Sequence, residues 1–141
     1  MRYVSGRVLA EQGFVEGYVG FEDGVVSEVG RGRPRHSEAK GIIVPTLTDA
    51  HTHIADYLVP VDLSMSLEEL VAPPNGLKHR ALRDAPEDQV RHAIDEARGI
   101  MLRRGASRFI DFREGGEKGS LLLRQAIGWP KPMVMGRTLH L

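Results

Sequence analysis

The sequence predicts an α/β protein in two parts: small antiparallel strands over 1–41, then the start of a parallel β/α arrangement over 42–141. Three observations carry this. Gly17-Tyr18-Val19-Gly20-Phe21 alternates, Asp23-Gly24 is a strong turn signal, and Val25-Val26-Ser27-Glu28-Val29 returns as the second arm of a hairpin. From residue 42 the order is strand, loop, helix, strand, helix, strand, which implies a parallel sheet with right-handed crossovers. Between the two parts, Ile42 to His53 reads as one short, largely apolar strand ending in two histidines.

Composition narrows the function classes. The 141 residues suffice for one domain with a core. Hydrophobic residues at 41% and charged residues at 27% fit a soluble globular protein. Lys plus Arg is 19 and Asp plus Glu is 19, so no net charge argues for nucleic acid or an acidic membrane as partner. The absence of cysteine excludes disulfides and thiolate metal sites. The N-terminus lacks a signal-peptide shape, and no stretch approaches the roughly 20 apolar residues that span a bilayer. The expected location is the cytoplasm. The expected partner is a small-molecule substrate, with a second copy of the chain as the candidate cover for open strand edges.

In chain order, Tyr3-Val4 and Arg7-Val8-Leu9 read as short strands broken at Ser5-Gly6. Gly30 to His36 reads as a solvated loop, because no aromatic residue is interleaved with its arginines. Ile54 to Asp84 is a long connection in which Ser66-Leu67-Glu68-Glu69 has capping-box form. Lys78, His79, Arg80 and Arg83 belong to a substrate loop or a solvated polar loop. Asp84-Ala85-Pro86-Glu87 has the form of a second capping box. It opens a helix to about Arg104, with Val90, Ala93, Ile94, Ala97, Ile100 and Met101 as its apolar stripe. Ser107 to Phe112 is the next strand, Arg113-Glu114-Gly115-Gly116 its exit loop, Leu121 to Ile127 a helix, and Pro132 to Met135 a third strand. Three parallel strands need helices on both faces or closure into a barrel, so this reads as the first part of a larger β/α unit, cut off.

Period two puts His51 and His53 on one side of their strand, one step apart. Two imidazoles so placed can share one divalent metal ion. The plainer reading is a pair of strand-end histidines in a polar loop. Asp49 either orients that site or is a buried structural aspartate. Asp111 and Arg113 share a strand face and reach the rim where barrel enzymes place their chemistry, either to contact substrate or to form a structural salt bridge. Gly115-Gly116 ahead of a helix is a tight turn or an anion seat. His36, His79 and His92 read as surface residues, and Trp129 as a packing anchor.

A small β-segment with an Asp-Gly hairpin, leading into Pro45-x-Leu47-x-Asp49-x-His51-x-His53, resembles the amidohydrolase superfamily of metal-dependent hydrolases. The resemblance runs through essentially the whole chain in order, but over only about the first third of a family member. Thr46 departs from the glycine that many members place after the proline. The resemblance implies the start of a (β/α)8 TIM-like barrel, preceded by a small antiparallel β-sandwich segment. It implies that His51 and His53 bind a divalent metal, zinc first, with Fe2+ or Mn2+ as alternatives. Ala55 stands where dihydroorotase-like members often carry an arginine, which weakens that branch. His51-Thr52-His53-Ile54 looks more like the deaminase and chlorohydrolase branch, and Asp111-Phe112-Arg113-Glu114-Gly115-Gly116 resembles archaeal chlorohydrolase-like members. The implied reaction is hydrolysis of a non-peptide C–N bond, such as deamination of an amino-heterocycle by metal-activated water. Further histidines and an aspartate are implied on later strands. No catalytic residue is expected within these 141 residues, and the chain alone is expected to be inactive. Rival readings are a non-catalytic amidohydrolase-like scaffold and a small α/β binding module.

Overall fold

Strand β1 runs unbroken over Arg2–Ala10, so the break expected at Ser5-Gly6 does not occur. Gly6 keeps the strand continuous because it takes a φ of 140° and lies against Gly41, where a Cβ would come within 1.9 Å of the Gly41 carbonyl oxygen. Replacing Gly6 by alanine is expected to destabilise this sheet by about 2 kcal/mol, readable as a lowered thermal midpoint.

The computed structural model describes residues 1–126 and 128–136. The chain divides into two units, Met1–Pro45 and Thr46–Leu141. In the first unit, β2 (Gly13–Glu22) pairs antiparallel with β1, and β3 (Val25–Arg31) antiparallel with β2. Asp23 and Gly24, both at positive φ, make the expected turn. β4 (Ala39–Ile43) joins the other edge of β1 in parallel, giving the order β3-β2-β1-β4. The segment is therefore a mixed sheet, which corrects the expectation of antiparallel strands only. The expected single strand from Ile42 to His53 is also two. Ile42 and Ile43 end β4, while β5 (Leu47–Thr52) belongs to the other sheet. Pro45, which has no N–H to donate to a ladder, lies in the link between them.

In the second unit, β5 is followed by a short 3-10 helix (Ile54–Leu58), α1 (Leu67–Val71), α2 (Leu77–Asp84) and α3 (Glu87–Arg103). β6 (Ala106–Arg113), α4 (Gly116–Arg124) and β7 (Lys131–Gly136) complete the described elements. The strands order β5-β6-β7, all parallel. They form a partial open sheet, not a closed barrel. Ser66 and Glu69 make both bonds of the capping box that opens α1. Asp84 does not cap α3: α2 extends through Asp84, and Pro86 takes the cap position without a side-chain bond. Lys78, His79, Arg80 and Arg83 accordingly lie on a helix, not in a loop. α4 begins earlier than expected, and Ile127, its expected last residue, lies outside the described residues, as does His140.

Burial alternates along β6. Phe109, Asp111 and Arg113 are buried, while Arg108 and Phe112 are exposed. The buried face packs Phe109 against Ile54, Val90, Ile94, Leu122 and Leu123. On α3 the apolar stripe holds at Val90, Ala93 and Ile94, with Ala97 and Met101 packed against the core, whereas Ile100 is exposed; Arg98 is also buried. Arg98 reaches Asp95 at 3.0 Å and the Pro130 carbonyl at 3.4 Å. Trp129 is 55% exposed, with Lys131 over its ring, so it is not the packing anchor expected. Among the described residues, no helix is long and apolar enough to cross a membrane.

Candidate metal centre

The carboxyl end of β5 is built by an irregularity. Asp49 pairs with Phe109 and Thr52 with Asp111, so three steps on β5 match two on β6. That extra residue is a bulge, a device that re-aims side chains near functional sites. Asp49 is exposed, which removes the buried structural alternative. Its Oδ1 accepts from the His51 backbone N–H at 3.3 Å, so it acts on the bulge itself.

The bulge leaves His51 and His53 side by side, with ring centroids 5.4 Å apart. His51 stacks on Phe112 of β6 at 4.3 Å and 27°. His53 starts the 3-10 helix as its N-cap and is about one-third exposed. Both rings line a cavity of about 370 Å³ with Phe112, Arg113, Glu114 and Met135.

Asp111 stands behind this pair, on the buried side of β6 and fully enclosed. Its Oδ1 accepts from the Thr52 hydroxyl at 2.8 Å and from the Ile54 N–H at 2.6 Å. These two donors flank His53 in sequence, so Asp111 fixes the backbone that carries it. Burial raises the Asp111 carboxyl above the ordinary aspartate range, and the bonds from Ile54 and Thr52 reverse this only in part. Asp111 and Arg113 share the buried face as expected, but among the described residues no ion pair joins them. Only Arg113 reaches the cavity.

A second group of charges lies beneath His53. Its Nδ1 is 2.9 Å from Glu114 Oε1, although off the line a hydrogen bond requires. The Lys78 ammonium, from α2, lies 2.6 Å from the same Glu114 oxygen and 2.8 Å from Asp56 Oδ2. Lys78 is only 8% exposed. Burial alone would raise the Glu114 carboxyl; the bond and charge of Lys78 overcome it and hold the carboxyl below the ordinary range. Burial would likewise lower Lys78, and its two carboxylate partners raise it instead. Glu114 Oε2, Asp56 Oδ1 and Asp111 Oδ2 are buried without a hydrogen bond among the described residues.

Sequence reasoning placed Asp49, His51, His53, Asp111 and Arg113 at this end of the sheet. It did not single out Thr52, Asp56 or Glu114, and it gave Lys78 only as part of a substrate loop or a solvated polar loop. For Glu114 a signal existed, since it follows a strand that reaches the rim. Lys78 had no such signal, because its partners come from other elements.

The fit to a metal is that of two donors and a backing carboxylate. Two imidazoles stand together, and the buried Nδ1 of His53 faces an anion, as in carboxylate–histidine–metal arrangements. Among the described residues, no group of three or more His, Cys, Asp or Glu is placed to hold a metal ion. His51 and His53 are two neighbouring imidazoles, fewer groups than a metal ion needs.

The polar groups gather at the carboxyl ends of the parallel strands, the face where β/α-barrel enzymes place their chemistry. Known proteins narrow the class. No family model matches the chain. It is 36% identical over 138 residues to an uncharacterized protein of Methanocaldococcus jannaschii, covering 95% of this chain and 34% of the relative. It is 39% identical over 112 residues to a Methanothermobacter thermautotrophicus protein provisionally named an aminohydrolase, covering 76% of this chain and 29% of the relative. The chain thus spans about a third of the length of these curated relatives. Among solved structures, it resembles an amidohydrolase with a TM-score of 0.59 at 20% identity, covering 96% of this chain and 31% of that one. It also resembles guanine deaminase from C. acetobutylicum with bound guanine, with a TM-score of 0.61 at 14% identity, covering 94% and 35%. The chain belongs to the amidohydrolase superfamily, and its elements correspond to the N-terminal portion of that fold.

Proposed function

We propose that this chain is the N-terminal part of a cytoplasmic, metal-dependent amidohydrolase of the deaminase and chlorohydrolase branch. Its sheet is the start of a (β/α)8 barrel. Its substrate is a small amino-heterocycle, and its reaction is hydrolysis of a non-peptide C–N bond. The observation that carries this reading is the pairing of His51 and His53 at the mouth of β5, with Glu114 against the inner nitrogen of His53. The aminohydrolase name of one relative and the guanine deaminase likeness support it at the level of family and fold.

On this reading His51 and His53 donate two of the ligands to a divalent ion, zinc first. Such an ion supplies Lewis acidity, activating water and polarising the carbon that bears the leaving nitrogen. The chain's own residues prepare the donors. Phe112 fixes the plane of the His51 ring by stacking. Glu114 favours the proton on His53 Nδ1 and so leaves Nε2 as the lone-pair atom. Asp111 holds Thr52 and Ile54, and thereby the main chain on both sides of His53. The general base that passes a proton to the leaving amine comes from later strands.

Titrating the full-length protein with Zn2+ by calorimetry tests this. The H51N/H53N double variant is expected to bind at least roughly a hundredfold more weakly and to stop releasing ammonia from aminopurines or aminopyrimidines. Metal affinity unchanged in that variant refutes the assignment.

A further inference from the structure

Arg113 is 5% exposed, yet its guanidinium is only partly used. Its Nε donates to the Gly119 carbonyl at 3.2 Å. Its two terminal nitrogens make no hydrogen bond or ion pair among the described residues, although the charges of Asp111, Glu114 and Asp56 act on the guanidinium from nearby. Arg113 is among the residues lining the His51/His53 cavity and also lines a neighbouring cavity of about 670 Å³, its side chain turned toward α4 on the buried face of β6. Glu114 lines both cavities too, but Lys78 and His53 already engage it.

The larger cavity also takes in the start of α4. Gly115 caps this nine-residue helix at a φ of 83°, without a side-chain bond to the first turn. The leading N–H groups of a helix have no partner within it, and the end of the helix dipole there is positive. Gly115 and Gly116 present no side chain that would cover these groups. Lys118, 83% exposed at the side chain, lines the same cavity, with its ammonium 3.8 Å from Glu87, which also lines it. A buried arginine with unused donors and an uncapped glycine helix start therefore face one space.

We propose that this space is an oxyanion subsite, and that the substrate of the His51/His53 centre carries a carboxylate or phosphate held by Arg113 and the first turn of α4. The assignment rests on the metal-centre reading for what lies beyond Arg113. The anion contacts themselves are independent of it. Arg113 offers a planar pair of donors, the geometry that suits a two-oxygen anion. The helix start adds backbone donors to the same group. The substrate class is then a small anionic compound with a hydrolysable C–N bond.

Calorimetric titration of the full-length protein with inorganic phosphate and, separately, with acetate tests the subsite. Saturable binding of one of them is expected, and which one binds tells phosphate from carboxylate. Binding is expected to weaken roughly tenfold in Arg113→Gln and roughly threefold in Lys118→Glu. Lys118 is exposed, so its variant decides the matter if Arg113→Gln does not fold by circular dichroism. Binding in H51N/H53N is expected to match the wild type. Absence of binding to either anion, or undiminished binding in Lys118→Glu, overturns the proposal. Zn2+ binding without anion binding defeats the subsite alone; anion binding without Zn2+ binding defeats the metal centre alone.

Discussion

Replacing Lys78 by methionine is expected to lower folding stability by about 3 kcal/mol at neutral pH, measured by chemical denaturation. Methionine fills much of the same volume, so the loss isolates charge from packing. Glu114 is then left buried with His53 as its remaining partner, whereas Asp56, a third exposed, recovers some water. The pH dependence has a definite sign. The Glu114 carboxyl titrates below its ordinary value in the folded chain, so its contribution is complete above that ordinary value. It is lost as pH falls through the depressed one. Lys78 titrates above its ordinary value, so its contribution is lost only as pH rises through that raised value. The wild type should therefore lose stability in acid more steeply than Lys78→Met, which has already lost the pairing. Parallel acid limbs for the two proteins would show that Lys78 does not hold Glu114 ionised.

Asp111→Ala is expected to cost about 3–4 kcal/mol, from two buried donors left without an acceptor and from the space vacated. Asp111→Asn keeps one carbonyl oxygen for Thr52 and Ile54 and should cost about half as much. The sign of the pH effect is opposite to that of Glu114. Because burial raises the Asp111 carboxyl, the folded chain keeps a proton there that the unfolded chain has released. Stability then falls as pH rises from the ordinary aspartate value to the raised one. Asp111→Asn removes that slope. Comparing the two variants across the acid range separates the acceptor role from the charge. Equal losses for alanine and asparagine would rule out the hydrogen bonds as the main contribution.

What could be read from the sequence follows the range of the interactions. His51 and His53 were legible because they lie two residues apart at a strand end, although β5 stops at Thr52 and the bulge against β6 completes their placement. The capping box of Ser66 and Glu69 is equally local, and both its bonds form. The same letters at Asp84 and Glu87 misled, because α2 continues through Asp84 and Pro86 takes the cap. The alternation of helix and strand gave the parallel sheet. It could not reveal that β4 leaves that sheet to pair with β1, since an apolar run looks alike in either. Lys78 illustrates the harder limit. A lysine among basic residues reads as part of a solvated or substrate loop, and only the approach of Asp56 and Glu114 from separate elements makes its burial tolerable. Arg113 was visible as a rim residue, but its unused nitrogens and the uncapped start of α4 are properties of packing alone.

The bond from the Thr52 hydroxyl to Asp111 joins residues 59 positions apart. It also sets a timetable for synthesis. A nascent chain that has just emerged past His53 carries both imidazoles, yet the hydroxyl and N–H groups beside them still lack their acceptor. The pair is held in place only once α3 and β6 have been made and have docked, when most of these 141 residues are already off the ribosome. The two histidines are adjacent in the message, but they become a site late in the life of the growing chain.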